Sequence, residues 1–446
     1  MTRSARDRAA GPAHARALRA RQASTVALLT IGYAGYYLCR SNLSVALPQL
    51  IDEVAAHGGS TDDARIRLGT LASFGVFAYA LGKLCLGGTA DLLGGRRNFL
   101  VGMGGAVVFT LLFSVGGGLP LFTLAWIGNR TAQSIGWAGV VKVASRWFSY
   151  SSYGAVMGAI SLSYLFGDAI ARLAMGALIG AGFGWRAVFR FAAAGLAVLL
   201  LVNWRWLRES REELGFEPPA VNPRNVFGEG PQVVARFADV LRPLLRDRTF
   251  WMVCVLSLGC TLLRETFNTW IPTYFHQSVG YSIGDAAAMS ALFPFVGGVS
   301  VVILGLLGDH LGSTGREWVM VVGLTTVTLA LFALSTMSDH SGSWAIVGAV
   351  LLIAFTLLGP YSYLAGAVAL DFGGAGGSAT ASAIIDGVGY LGGVLAGDSV
   401  ARISVAWGWD GAFRALAAVA AVSAVAAIIL LVLRRRPALS ESSPAV

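Results

Sequence analysis

Residues 33–43 read YAGYYLCRSNL, with three tyrosines and an arginine inside a run that is otherwise apolar enough to cross a bilayer. An arginine at the centre of a membrane helix costs about 2.5–3.5 kcal/mol even on the lenient insertion scale. A helix that carries one needs compensation, usually a water-filled space between helices. Tyr33, Tyr36 or Tyr37, Arg40 and Ser44 recur at three- and four-residue steps, which places them on one face. Arg40 therefore points to a membrane protein with a polar interior.

The rest of the chain agrees. Of 446 residues, 55% are hydrophobic and only 13% charged, and the mean hydropathy is +0.67. Twelve apolar segments have the length of membrane helices, at approximately 24–49, 69–91, 99–117, 119–142, 155–180, 187–207, 250–275, 284–309, 317–336, 343–370, 378–406 and 410–433. The 57 glycines suit helices packed at close range. One long polar stretch, opening LRESREELGFEPPAVNPRNVFGEG and running to Arg248, parts the spans six from six. The expected organisation is a basic tail (1–23), a six-helix bundle (24–207), a linker (208–249), a second six-helix bundle (250–433) and a short tail (434–446). Arginines gather in the first tail, at GGRRN and at Arg434 to Arg436, which by the positive-inside rule puts both termini in the cytoplasm. They form no single groove or stripe, so a nucleic-acid partner is not expected.

Other functional classes find no support. The first apolar segment is longer than a signal-peptide core and lacks a small-residue cleavage motif, so it is expected to stay as a helix. Cys39, Cys85, Cys254 and Cys260 all fall inside predicted spans without metal-ligand spacing, and read as small packing residues. Five scattered histidines form no metal motif, and no metal or cofactor is expected. No nucleophile–base pattern or phosphate-cradling loop appears, which argues against an enzyme or an ATP-driven pump. GVGYLG at 387–392 satisfies a dinucleotide pattern only formally, because no strand precedes it.

The two halves echo each other. Arg40 stands eight residues before Pro48, and Arg264 eight before Pro272. GGTADLLGGRR in the first half matches GLLGDHLG in the second, setting Asp91 against Asp309. GWRAVFR matches GWDGAFR, setting Trp185 against Trp409. The offsets are 264 − 40 = 224, 309 − 91 = 218 and 409 − 185 = 224, which two compensating six-residue changes in loop length reconcile. GDAIAR (167–172) and GDSVAR (397–402) differ by 230 and do not align in the same register. The predicted fold is an all-α membrane protein, with twelve transmembrane helices in two pseudo-symmetric six-helix bundles. That is the parallel repeat of the major facilitator fold.

Charges inside the bilayer mark the candidate site. Arg40 is mid-span in the first helix, Lys83 in the second and Arg264 in the seventh. Thr261, Arg264, Glu265 and Asn268 share a polar face. A pseudo-two-fold axis would bring Arg40 and Arg264 to face each other near the midplane. Two guanidinium forks and an ammonium suit an anion, most naturally a divalent one such as phosphate.

YAGYYLCRSNLSVALP resembles the first helix of the organophosphate:phosphate antiporters of the major facilitator superfamily, which include glycerol-3-phosphate and hexose-phosphate transporters. LLRETFNTWIPTYF is similar to their seventh helix and QSIGWAGVVKVASRWF to their fourth. GPYSYLAGAVAL resembles their tenth, and AIIDGVGYLGG followed by GWDGAF their eleventh and twelfth. The resemblance implies that Arg40 and Arg264 hold phosphate, with Lys83 at a basic position of the second helix and Tyr33, Tyr36, Tyr37 and Tyr390 along the pathway. Tyr164 stands where glycerol-phosphate members have a histidine. Glu265 directly after the second arginine, and Asp168 with Arg172, are departures, whereas Asp386 fits the sugar-phosphate group. Glu265 is expected to pair with Lys83 or Arg130, or to join Asp168, Arg172 and Asp386 in coupling or internal ion pairs. Asp91, Arg96, Arg97 and Asp309 match the cytoplasmic gate pattern.

The expected function is exchange of an organic phosphate for inorganic phosphate by alternating access, in a lipid-embedded monomer of a bacterial inner membrane. Two alternatives stay open, a proton-coupled organic-anion symporter and a transporter-like hexose-phosphate sensor.

Overall fold

The computed structural model describes residues 12–57, 59–86, 89–219, 242, 244–311, 314–337, 342–364 and 368–435. Its described elements are helices, as a bilayer requires of a chain that must satisfy its own backbone. The first span is helix Pro12–Tyr36, a 3-10 turn Tyr37–Cys39 and helix Asn42–Ala56. The second is Thr61–Leu86, the third Gly95–Val115, and the fourth a pair, Leu119–Ser134 and Gly136–Trp147. Tyr150–Gly180 and Trp185–Trp206 complete the first half. Arg248–Gln277 is the seventh span, and the eighth is again a pair, Ile283–Ser290 and Leu292–His310. Gly315–Leu334 and Ser343–Tyr363 follow, and Ala369–Arg435 carries the eleventh and twelfth.

Nine helices among the described residues are long and apolar enough to cross a membrane by length and composition. Three features relate them to the twelve spans. The first and fourth spans are interrupted and carry charge, so they fall short of that criterion. The last counts once, although its 67 residues would reach about 100 Å, some three bilayer cores, if straight. Gly408 turns it, with φ of 70° in the left-handed region. The chain meets Thr70 of the second span at Asp398 and returns to Glu317, at the start of the ninth, with Arg434.

Local chemistry sets several boundaries. The Asp247 carboxylate caps the seventh span by accepting the Thr249 and Phe250 N–H groups. Ser282 caps the eighth by accepting the Asp285 N–H. The break in the first span contains no proline. The carbonyl of Cys39 instead accepts Nε2 of Gln133 at 3.1 Å, and the Leu43 N–H turns to the Asn42 side chain at 2.8 Å. One tertiary partner and one neighbouring side chain thus replace lost helical bonds.

The halves close on each other at the face opposite the termini. Here Gly69 and Gly397 bring the second and eleventh spans into backbone contact; a Cβ on Gly397 would lie 2.4 Å from the Gly69 carbonyl oxygen. Gly176 and Gly284 form the mirror seam between the fifth and eighth. Hydrogen bonds reinforce the seal, including Ser44 to the Thr269 carbonyl at 2.9 Å and Arg65 to Gln277 at 2.9 Å. Glu53, past the apolar stretch 24–49, receives both Arg186 nitrogens and the Trp185 indole, each at 2.7 Å. Of the cysteines, all free, three are buried, but Cys85 is exposed and does not serve as a packing residue.

Candidate functional site: a cationic cavity between the halves

A cavity of about 400 Å³ lies between the halves, on the termini side of the seal, and Arg40 and Arg264 both line it. Tyr33, Tyr37, Lys83, Tyr164, Asp386 and Tyr390, all expected at the site, line it too. A further space of about 220 Å³, bounded by Lys83, Trp137, Asp386 and Tyr390, continues it. On the other side of Arg40 a small cavity of about 60 Å³ holds Arg130, Asp168, Arg172, Glu265 and Asn268.

Arg40 stands where the first span breaks, and its own N–H bonds the Tyr37 carbonyl at 3.2 Å. Its guanidinium lies over the Tyr79 ring at 4.5 Å and the Tyr37 ring at 5.2 Å, and reaches the Tyr79 hydroxyl at 3.5 Å. Arg264, 9% exposed, lies over Tyr361 at 4.4 Å. Its Nε is buried without a hydrogen-bond partner. An aromatic face tolerates a cation in a dry setting at modest gain, about 0.5–2 kcal/mol, and leaves the N–H edges free for an anion.

The ion pairs differ from those expected. Glu265 pairs with its neighbour Arg264, Oε1 to Nη2 at 2.5 Å, rather than with Lys83 or Arg130. Lys83 instead crosses between the halves to Asp386 at 3.1 Å, and packs over Tyr79 and Tyr390. Lys83 lines the larger cavity with Asp386, whereas Glu265 lines the small one, so Lys83 and Glu265 do not meet. Asp168 and Arg172 pair at 2.9 Å, and Asp168 accepts the Ser41 hydroxyl. Arg172 also donates to the Asn268 carbonyl at 2.8 Å and to Ser290 at 3.2 Å, so this pair belongs to the seal.

Other expected residues lie elsewhere. Tyr36 does not line the cavity. Its hydroxyl donates to the Phe99 carbonyl at 2.7 Å and its ring packs against Gly102 and Gly136, because one residue of helix turns it away from Tyr37. Asn268 lies beside the small cavity. Arg96 is tied within the first half, its side chain donating to the carbonyls of Trp204 and Leu207 and its backbone N–H to Glu209. Arg97 is exposed. The side chains of Asp91 and Asp309 lie outside the described residues.

Tyr79, Arg130, Trp137 and Tyr361 join the site without having been expected as ligands. The internal repeat could have found two of them, since 361 − 137 = 224, the spacing of the arginine pair. The same spacing relates Asp386 to Leu162 and Ser257 to Tyr33, and all four line the cavity. The repeat thus supplies one frame, and each half decorates it differently. Across the two cavities five cations (Arg40, Lys83, Arg130, Arg172, Arg264) face three carboxylates (Asp168, Glu265, Asp386), five minus three leaving two positive charges.

Known proteins resemble this chain along most of its length. A probable hexose phosphate transport protein of Chlamydia pneumoniae is 23% identical over 399 residues, covering 86% of each chain. A membrane sensor protein, UhpC, of Salmonella typhimurium is 24% identical and covers 87% of each. Among solved structures, a bacterial homologue of the human lysosomal transporter Spinster, inward-facing and unoccupied, superposes with a TM-score of 0.75 at 17% identity, covering 95% of this chain and 99% of that one. The Major Facilitator Superfamily model matches residues 29–397, and the chain belongs to that superfamily.

Proposed function

We propose that the protein is a carrier that exchanges an organic phosphate for inorganic phosphate by alternating access. The carrying observation is the pair of arginines from equivalent positions of the two halves on one cavity, with two positive charges in excess and a buried Arg264 Nε lacking an acceptor. A phosphomonoester carries a charge of about −1.5 to −2 near neutral pH, which offsets that excess. A monocarboxylate leaves half of it. The organic part then lies among Tyr33, Tyr37, Trp137, Tyr164 and Tyr390. The hexose phosphate relative supports this substrate class.

The empty site disfavours switching, because drawing the halves together crowds the two positive charges left uncompensated in the cavities. A bound dianion removes that penalty, so each crossing requires cargo, and exchange follows. In this reading the basic tails and the 208–249 linker are cytoplasmic, the bundles 24–207 and 250–433 are the rocking bodies, and the carrier works as a monomer in a bacterial inner membrane. The described state is then open to the cytoplasm.

The test is uptake of a labelled hexose phosphate into vesicles containing the purified protein. Uptake that requires trapped inorganic phosphate supports exchange; uptake driven by a pH gradient alone does not. The sensor relative gives a second reading, in which the cavity binds without transport. Saturable binding with no uptake under either gradient would favour it.

A further inference from the structure

An anion held between Arg40 and Arg264 leaves two buried charges of the site unexplained. Glu265, 7% exposed, already occupies Arg264. Arg130, 3% exposed, rests on the rings of Tyr79 at 4.7 Å and Trp126 at 5.9 Å, and forms no ion pair among the described residues. A buried cation is ordinarily paired. Both residues line the same cavity of about 60 Å³, with Arg40 beside them. Two glycines make room for them. A Cβ on Gly75 would lie 3.1 Å from Cγ of Arg130, and one on Gly393 would lie 3.2 Å from Cγ of Glu265.

We propose that Glu265 is a built-in stand-in for the cargo's phosphate. In the empty carrier it neutralises Arg264, and an arriving phosphate displaces it across the small cavity onto Arg130. The idea rests on the phosphate reading above and adds a residue, Arg130, and a selection rule. A dianion arriving beside a fixed carboxylate would meet a like charge at short range in a dry site. With Arg130 as a second partner the carboxylate is never left bare, and Arg264 gains a phosphate as it loses Glu265. An anion that cannot outcompete a carboxylate for Arg264 is turned away, so the site favours phosphate monoesters over monocarboxylates.

The probe is inorganic phosphate, titrated by calorimetry onto the full-length protein in detergent, with gel filtration to confirm folding. Glu265→Gln removes the competitor and is expected to tighten binding about tenfold, a 1.4 kcal/mol change. Arg130→Gln strands the displaced carboxylate and is expected to weaken binding about tenfold. In the double variant the Arg130 penalty disappears, and binding matches Glu265→Gln alone. Equal weakening by Arg130→Gln with and without Glu265 would mean that Arg130 only attracts phosphate directly, and would overturn the switch. Weaker binding by Glu265→Gln would overturn it too, since a fixed structural pair predicts that result; this arm decides even if Arg130→Gln does not fold. Absence of binding in both wild type and Glu265→Gln would remove the phosphate reading itself, and the switch with it.

Discussion

In the proposed reading Arg40 and Arg264 offer planar forks to an anion, and the rings of Tyr37, Tyr79 and Tyr361 lie against their flat faces. Charge alone cannot reproduce this, because lysine presents a point charge with no fork. Arg40→Lys is therefore expected to lower phosphate exchange at least about thirtyfold, the loss of a charge-assisted bond of about 2 kcal/mol. Exchange within threefold or so of wild type would count against bidentate binding. Tyr79 lies against Arg40, Lys83 and Arg130 at once, at 4.5, 5.2 and 4.7 Å. Its ring matters more than its hydroxyl, whose contact with Arg40 is a long 3.5 Å. Tyr79→Phe should keep most exchange, and Tyr79→Ala should lose about tenfold or more from three cation–π contacts. Equal damage from both would assign the effect to the hydroxyl. At this scale the arginines were legible in the sequence, because charge in an apolar run has few other meanings. Tyr79 and Tyr361 were not, since an aromatic residue in a span is ordinarily packing. Arg130 carries the same signal, a charge in mid-span, but from sequence it reads equally as a partner for Glu265.

Among the elements, the first span was legible as a helix but not as a broken one. No proline ends a helix at Tyr37–Cys39; Gln133 from the fourth span and the neighbouring Asn42 take over the freed backbone groups. The glycine seams carry the opposite lesson. Abundant glycine announced close packing, but only the structure pairs Gly69 with Gly397. Gly397→Leu has no room there, because its Cβ would meet backbone. We expect it to open the seal and let a membrane-impermeant thiol reagent on that face reach a cysteine placed at Ser73, in a Cys85→Ser background. Unchanged protection would show that the seam does not hold the seal. The Glu53 cluster makes a pH prediction. Hydrogen bonds from Arg186 hold the Glu53 carboxyl below its usual range, aided by Trp185 and the nearby His57. A lowered carboxyl contributes stability above its ordinary value, about 4.3, and loses it as pH falls through the lowered one. Glu53 is partly exposed, so screening keeps the effect modest. Glu53→Gln should lower Tm at neutral pH, with the gap from wild type closing below about pH 4. A gap that stays constant into acid would mean that the charge contributes nothing.

At the scale of the whole molecule, the two halves share one frame and differ in what they place on it. Repeat spacing made the architecture and the facing arginines readable from the chain, because duplication preserves register. It did not reveal which face is closed. That follows from contacts such as Arg172 to Asn268 and Ser44 to Thr269, between residues far apart in sequence with no shared pattern. Bound phosphate is expected to draw Arg40 and Arg264 together and to let this seal release as the halves close on the termini side. The most direct measurement is exchange of radiolabelled inorganic phosphate by the protein in phosphate-loaded vesicles, for wild type and Arg264→Ala. The account predicts rapid exchange by wild type and its loss in the variant. Absence of exchange from correctly folded wild type, or its persistence without Arg264, would contradict it.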